Sequence, residues 1–233
     1  MEKKIQVDNL IIEVTQRCNL ACEHCLRGCA RNVDLNKSYV DSLLSQVDTI
    51  GSIVFTGGEP TLNLPIIEYV FDEIRRRKIP LGFFWIATNG VEKSLELAAL
   101  LLKNVDLCDE PEMMGVAIST DIYHDTETKS NPLRYLSFYD DSKEWSVTME
   151  RPLIAMGYAE ENQLGGRDYT PKEDISVIDT YDDIIQVEEI YLRANGEILA
   201  DCDISYDLAD EMAICQVENL TKFLENQKEE LAA

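Results

Sequence analysis

Three cysteines, Cys18, Cys22 and Cys25, stand in C-x3-C-x2-C spacing directly after the apolar run Leu10-Ile11-Ile12-Glu13-Val14. Thiolates are soft ligands that select zinc or iron–sulfur clusters. A structural zinc site closes with four ligands. Three close cysteines leave one position open, and on a four-iron cluster that position can bind a substrate or a cofactor. Cys29 follows soon after and is the available fourth ligand if the metal is zinc. A second stretch, Thr56-Gly57-Gly58-Glu59-Pro60, follows the apolar run Ile53-Val54-Phe55. Its glycines let the backbone approach a ligand closely and expose N–H groups. Glu59 supplies a carboxylate for an ammonium. A tight turn before a helix would explain the glycines but not the glutamate.

The elements that position these residues alternate along the chain. Leu10 to Val14 reads as a strand buried on both faces. Glu13 is its polar exception, either facing a ligand or partnering a nearby arginine. Ser38 is expected to cap a helix with Val40, Leu43, Leu44 and Val47 on one face. Strand two is Ser52 to Phe55. The next helix turns Ile67, Val70, Phe71 and Ile74 inward and ends in Arg75-Arg76-Arg77-Lys78, a cationic last turn that suits the helix dipole. Strand three, Gly82 to Ala87, terminates in Thr88-Asn89-Gly90. A helix with Leu95, Ala98, Ala99 and Leu102 inward follows, then strand four, Met114 to Ser119. Ser119 and Asp121 alternate at period two and share a side. Tyr123 and His124 come next, and His124 could move a proton or brace the loop.

Beyond these, a helix is expected from Pro132 to Lys143 and a strand near Trp145 to Glu150. Residues 160 to 185 read as a polar loop whose length suits a lid or a substrate clamp. Val187 to Arg193 and Glu197 to Ala200 flank Ala194-Asn195-Gly196, a hairpin pattern. A helix from about Val217 to Leu231 closes the chain. Alternating strands and helices imply a parallel sheet with helices outside. The candidate residues lie at or just after strand C-terminal ends, where such sheets and barrels place ligands.

The 233 residues are 45% hydrophobic, enough for a real core. A net charge of −23 argues against a nucleic-acid backbone as the main partner. No run reaches the ~20 apolar residues that span a membrane. Met1-Glu2-Lys3-Lys4-Ile5 lacks an apolar signal region, so a cytoplasmic protein is expected. Seven unevenly spaced cysteines do not make a secreted disulfide framework. Arg27 and Arg31 stand near the cysteines, to meet a substrate carboxylate or phosphate or to form plain salt bridges.

The cysteine stretch resembles the radical SAM enzymes, whose signature is C-x3-C-x-aromatic-C, with His24 here in the aromatic slot. The lead-in Glu13 to Leu20 and the turn Gly57-Gly58-Glu59-Pro60 are also similar. The resemblance covers roughly residues 9 to 160. It implies an α/β fold, a partial (β/α)6 barrel of parallel strands with helices outside. It also implies that Cys18, Cys22 and Cys25 hold three irons of a [4Fe–4S] cluster, whose fourth iron chelates S-adenosylmethionine. Residues 57 to 60 would then meet the amino group of that cofactor. Thr88 and Asn89 would lie at the site, Ser119 and Asp121 would touch ribose or methionine groups, and the segment around Gly157 would contact adenine. An electron from a partner such as flavodoxin or ferredoxin would yield a 5′-deoxyadenosyl radical that takes a hydrogen atom from the substrate. The cofactor carries the hard chemistry.

The hairpin and last helix resemble a reduced form of the C-terminal extension of some radical SAM peptide maturases. This divides the chain into a core, 1–185, and an extension, 186–233. Cys202 and Cys215, with Cys108 distant, are too few for an auxiliary cluster, and buried inert thiols are expected. The extension tilts the expected substrate toward a peptide or protein segment. A small molecule, or activation of a partner enzyme, is the alternative within the family. A non-catalytic zinc or electron-transfer module is the alternative outside it.

Overall fold

A computed structural model of the chain describes residues 3–119, 123, 131–136 and 153–231. Asp121, His124 and the strand expected near Trp145 lie outside the described residues. The first strand, β1 (Lys4–Glu13), pairs in parallel with β2 (Val47–Thr56). In turn β2 pairs with β3 (Leu81–Thr88), and β3 with β4 (Gly115–Ile118), all in parallel. The connections are α1 (Lys37–Gln46), α2 (Leu64–Arg77) and α3 (Ser94–Asn104). This is the expected alternation, and among the described residues the sheet does not close into a barrel.

Side-chain alternation gives the sheet two different faces. Leu10, Ile12, Ile53, Phe55 and Phe84 join the large core under the helices. Ile11, Val54, Tyr191 and Leu199 form a smaller cluster on the opposite face. The strands are therefore apolar on both faces, which is why they read as continuous apolar runs.

The helices follow the amphipathic pattern with two corrections. Asn36, not Ser38, caps α1: its side-chain oxygen accepts the Ser38 N–H at 3.0 Å. The buried face of α3 is Leu97, Ala98, Leu100 and Leu101, while Leu95 and Leu102 are exposed. The segment Leu95–Leu102 is apolar nearly all round, so spacing alone does not choose its inner face.

The chain after residue 152 first forms a separate two-stranded sheet and then returns to the main one. Strand β5 (Leu153–Ile154) pairs with β6 (Gly165–Arg167), with α4 (Gly157–Glu161) between them. Strand β7 (Val177–Tyr181) then runs antiparallel to β8 (Ile184–Leu192). The span expected as a plain loop thus carries strand structure. Strand β8 lies beside β1 in parallel, with Leu10 opposite Ile190. The hairpin turns at Gly196 into β9 (Glu197–Leu199), and the expected boundary at residue 185 falls inside β8. A short helix not anticipated from sequence, α5 (Tyr206–Glu211), precedes β10 (Cys215–Gln216) and α6 (Leu220–Leu231). Leu220 and Leu224 of α6 pack into the large core. Among the described residues no helix is long and apolar enough to cross a membrane.

Candidate metal and cofactor site

The cysteine loop leaves the C-terminal end of β1 and returns to α1. Its two ends are zipped together: Gln16 N–H donates to Val33 O at 2.8 Å and Leu35 N–H to Val14 O at 3.1 Å. Asp34 accepts from Thr15 Oγ1 at 2.6 Å and from Arg17 Nε at 2.8 Å. Within the loop a tight turn sets Cys25 N–H on Cys22 O at 3.0 Å. Cys18, Cys22 and Cys25 line one cavity of about 410 Å³ together with Gly57 and Gly58. That volume suits a small-molecule ligand. Cys29 also borders the cavity but is exposed. All seven cysteines are thiols, none in a disulfide. Among the described residues no three His, Cys, Asp or Glu side chains converge on a single metal ion. Zinc gathers all its thiolates on one ion at about 2.3 Å, whereas a four-iron cluster takes each thiolate on a different iron. Three soft donors around one roomy cavity fit the cluster.

The glycine turn meets the loop backbone to backbone. Gly58 N–H donates to Thr15 O at 2.8 Å and Glu59 N–H to Arg17 O at 2.7 Å. A Cβ on Gly57 or Gly58 would lie 2.3 Å from those same carbonyl oxygens, so only glycine permits the contact. The N–H groups at 58 and 59 therefore hold the cysteine loop and do not face a ligand. Among the described residues, the carbonyl oxygens of Gly57 and Gly58 accept no hydrogen bond.

Glu59 differs most from its expected role. Its carboxylate is buried and accepts from Thr61 N–H at 3.0 Å, Thr61 Oγ1 at 2.7 Å, Thr88 Oγ1 at 2.7 Å and Asn89 N–H at 2.8 Å. Three of these donors meet Oε1 and one meets Oε2, so the protein itself takes most of the carboxylate's acceptor capacity. Pro60 is buried and opens a short 3-10 turn, Pro60–Asn63. Thr88 and Asn89 lie where sequence placed them and act on the protein itself. Thr88 Oγ1 also accepts Gly90 N–H at 3.0 Å. Asn89 Nδ2 donates to Asn19 Oδ1 at 2.8 Å, which ties the end of β3 to the cysteine loop.

Other expected residues are placed as follows. Ser119 N–H donates to Thr88 O at 2.9 Å, so it follows β4 beside the end of β3. The ring of His24 stacks on Tyr123, with centroids 4.4 Å apart and planes 21° apart. Gly157, expected against adenine, lies against the cysteine loop. It adopts φ +56°, and a Cβ there would sit 2.4 Å from Leu26 O. The next residue, Tyr158, donates its N–H to Cys25 O at 2.9 Å.

The region beneath the loop is charged and closed. Buried Glu13 accepts from Tyr191 Oη and, at 3.2 Å, from Ala194 N–H. Arg27 lies over the rings of Tyr191 and Tyr206, and its guanidinium donates to Ile204 O at 2.9 Å. Burial works against the Arg27 charge, but Tyr191 and Glu13 outweigh it and hold its pKa above the ordinary value. Arg31 forms salt bridges, to Asp207 at 2.6 Å and Asp210 at 2.8 Å. Fully buried Arg193 reaches the same Asp210 at 2.8 Å. Burial alone would raise the Asp210 pKa, yet hydrogen bonds from Arg193 and Arg31 hold it below the usual range.

Sequence reasoning missed Gln16, Tyr158 and Tyr206, all of which line the cavity. Gln16 carries a weak signal, a polar residue two positions before the first cysteine. Tyr206 carries none, because its helix lies far along the chain. The spare cysteines do not gather. Cys108 is bridged to Leu81 at the start of β3, Cys215 packs on the helix-covered core, and Cys202 packs on the opposite face. Burial pushes the Cys202 thiol up to about 12 and the Cys215 thiol to about 11, as for inert buried thiols.

A family model described as the radical SAM superfamily matches residues 12–134, just over half of the 233 residues. A GTP 3',8-cyclase of Clostridium acetobutylicum is 33% identical over 113 residues, 43% of this chain and 35% of that protein. An uncharacterized protein of Methanocaldococcus jannaschii is 43% identical over 68 residues, 28% of this chain and 23% of that one. The chain thus spans about a quarter to a third of the length of the curated relatives it matches. Among solved structures, native anSMEcpe with bound AdoMet and Cp18Cys peptide has a TM-score of 0.56 at 14% identity, over 94% of this chain and 80% of that one. BtrN in complex with AdoMet and 2-DOIA has a TM-score of 0.51 at 15% identity, over 96% and 83%. These two likenesses are of fold.

Proposed function

Because the chain belongs to the radical SAM superfamily, we propose that it cleaves S-adenosylmethionine reductively and takes a hydrogen atom from a peptide or protein segment. The superfamily uses a [4Fe–4S] cluster and S-adenosylmethionine. When bound, the cluster supplies the electron that opens the sulfur–C5′ bond and yields the 5′-deoxyadenosyl radical. One observation carries this reading: Cys18, Cys22 and Cys25 border one cavity with Gly57 and Gly58.

The chain's own residues then divide the work. The three thiolates hold the metal. The open carbonyl oxygens of Gly57 and Gly58 can accept from an ammonium group. Glu59, Thr88 and Asn89 fix the glycine turn against the end of β3 and the cysteine loop. Gly157 and Tyr158 close over the loop from the other side. Preorganised backbone of this kind costs no rearrangement at the moment of reaction. Tyr123 and His124 are the proposed proton-moving groups for the substrate step, and a cytoplasmic flavodoxin or ferredoxin would deliver the electron.

The peptide assignment is supported by β7. Its outer edge has no partner among the described residues, and Ile178 and Tyr181 are exposed on it. An extended segment can add to such an edge, and one protein of similar fold was solved with a peptide bound. A small-molecule substrate is the second reading, favoured by the GTP 3',8-cyclase relatives. The test is anaerobic. The reconstituted chain receives dithionite and S-adenosylmethionine with pooled peptides or with pooled nucleotides and aminosugars, and 5′-deoxyadenosine is measured. Stimulation by peptides alone supports the reading. Stimulation only by the small molecules overturns the peptide part.

A further inference from the structure

Two residues that line the cysteine cavity each carry a buried donor with no partner among the described residues. The donors are Gln16 Nε2 and Tyr206 Oη, on residues only 1% and 2% exposed. A buried donor left unpaired costs about 1–3 kcal/mol, and native structures nearly always satisfy such groups. An orphan in a dry core would be a defect. Two orphans bordering one ligand cavity instead indicate what fills it: an acceptor, and an anionic one if both are to bond it well.

The two donors come from different parts of the chain. Gln16 begins the cysteine loop. Tyr206 opens α5, beyond the span that matches the family. It is held there by a reciprocal clamp. Its N–H donates to Arg27 O at 3.1 Å, and Arg27 donates back to Ile204 O at 2.9 Å. The salt bridges from Arg31 to Asp207 and Asp210 pin the same helix. The hydroxyl is thereby a placed group. Burial, followed by the charge of Glu13, raises its pKa, so it remains a donor.

We propose that Gln16 and Tyr206 donate hydrogen bonds to the sulfur atoms of the cluster that Cys18, Cys22 and Cys25 hold, and that they set its reduction potential. This rests on the cluster reading above. It gives the C-terminal segment a role other than housing a second cluster: it closes the wall of the first. One electron entering the cluster raises its negative charge. Donors to sulfur therefore stabilise the reduced form more than the oxidised form and raise the potential. Removing one donor should shift the reduction equilibrium about tenfold, which is about 59 mV downward for a one-electron couple.

The experiment uses the reconstituted full chain without S-adenosylmethionine. Wild type, Tyr206→Phe, Gln16→Met and a Tyr135→Phe control, at an exposed side chain outside the cavity lining, are counted for iron. Each is then titrated reductively, with the [4Fe–4S]⁺ signal followed by electron paramagnetic resonance. About four irons in each, with potentials displaced downward in Tyr206→Phe and Gln16→Met but not in the control, supports the proposal. Four irons and unmoved potentials overturn it and leave the cluster reading intact. Unmoved potentials overturn it too when a separate titration with S-adenosylmethionine shows weakened binding, and that result assigns the donors to a carboxylate. Absence of iron in the wild type overturns both readings. If one variant loses its iron, the other carries the test, and loss in both overturns a tuning role.

Discussion

Replacing Glu59 by glutamine keeps the shape of the side chain and exchanges one acceptor oxygen for a donor. The amide nitrogen has two places to go. In place of Oε1 it would confront three donors, from Thr61 N–H, Thr61 Oγ1 and Thr88 Oγ1. In place of Oε2 it would confront only Asn89 N–H, so it goes there. One charge-assisted bond is lost, at about 1.5–3 kcal/mol, and two buried donors face each other. Removing a buried charge returns part of its desolvation cost. The net loss is about 2–3 kcal/mol. Urea unfolding of the cluster-free chain under reducing conditions reads it. With a slope of about 3 kcal/mol per molar, the midpoint falls by about 1 M. The reasoning is refuted if the midpoint stays within about 0.2 M while the loaded variant binds S-adenosylmethionine more weakly. Glu59 would then be a ligand, as its sequence position suggests, and not a brace.

Gly157→Ala should lower the melting temperature and iron uptake together, since its Cβ meets Leu26 O at 2.4 Å in a positive-φ conformation. The cost exceeds about 1 kcal/mol, and a variant that melts like wild type contradicts the packing described. The Glu73 carboxyl is held down to about 2, chiefly by its hydrogen bonds with Arg76 and then Arg77, against burial. Its folded pKa lies below the unfolded value, so the stabilisation is present above about pH 4.5 and is lost as pH falls toward 2. With its partner Arg76 largely exposed, it is about 1 kcal/mol. Acid unfolding of Glu73→Gln should lack that part of the pH slope. Cys108→Ser and Cys215→Ser should keep the wild-type iron count, and a loss of about four irons would reveal a second cluster.

The fold was readable where burial imposes a repeat. Val40, Leu43 and Leu44, and then Ile67, Val70, Phe71 and Ile74, lie inward as their spacing requires. The hairpin at Asn195-Gly196 was equally plain, because few residues accept its positive φ. Strand β7 was hidden because an edge strand with one wet face carries Asp179 and Thr180 among its few apolar residues. The site was readable where chemistry fixes residue type: three thiols and two close-packed glycines. It was less readable where a side chain's partners decide its role. Glu59 looks like a ligand in sequence and accepts four hydrogen bonds from the protein in the fold. Tyr206 reaches the cavity only through the return of β8 and β9 to the sheet, and no local pattern encodes that contact.

The central claim is that Cys18, Cys22 and Cys25 hold a cluster that drives cleavage of S-adenosylmethionine. The direct measurement pairs an iron count with a 5′-deoxyadenosine assay on the anaerobically reconstituted chain and its Cys22→Ala variant, with the stimulating pool present. The expected result is about four irons and 5′-deoxyadenosine in the wild type, and neither in the variant. A colourless wild-type protein with one zinc and no 5′-deoxyadenosine would contradict the account.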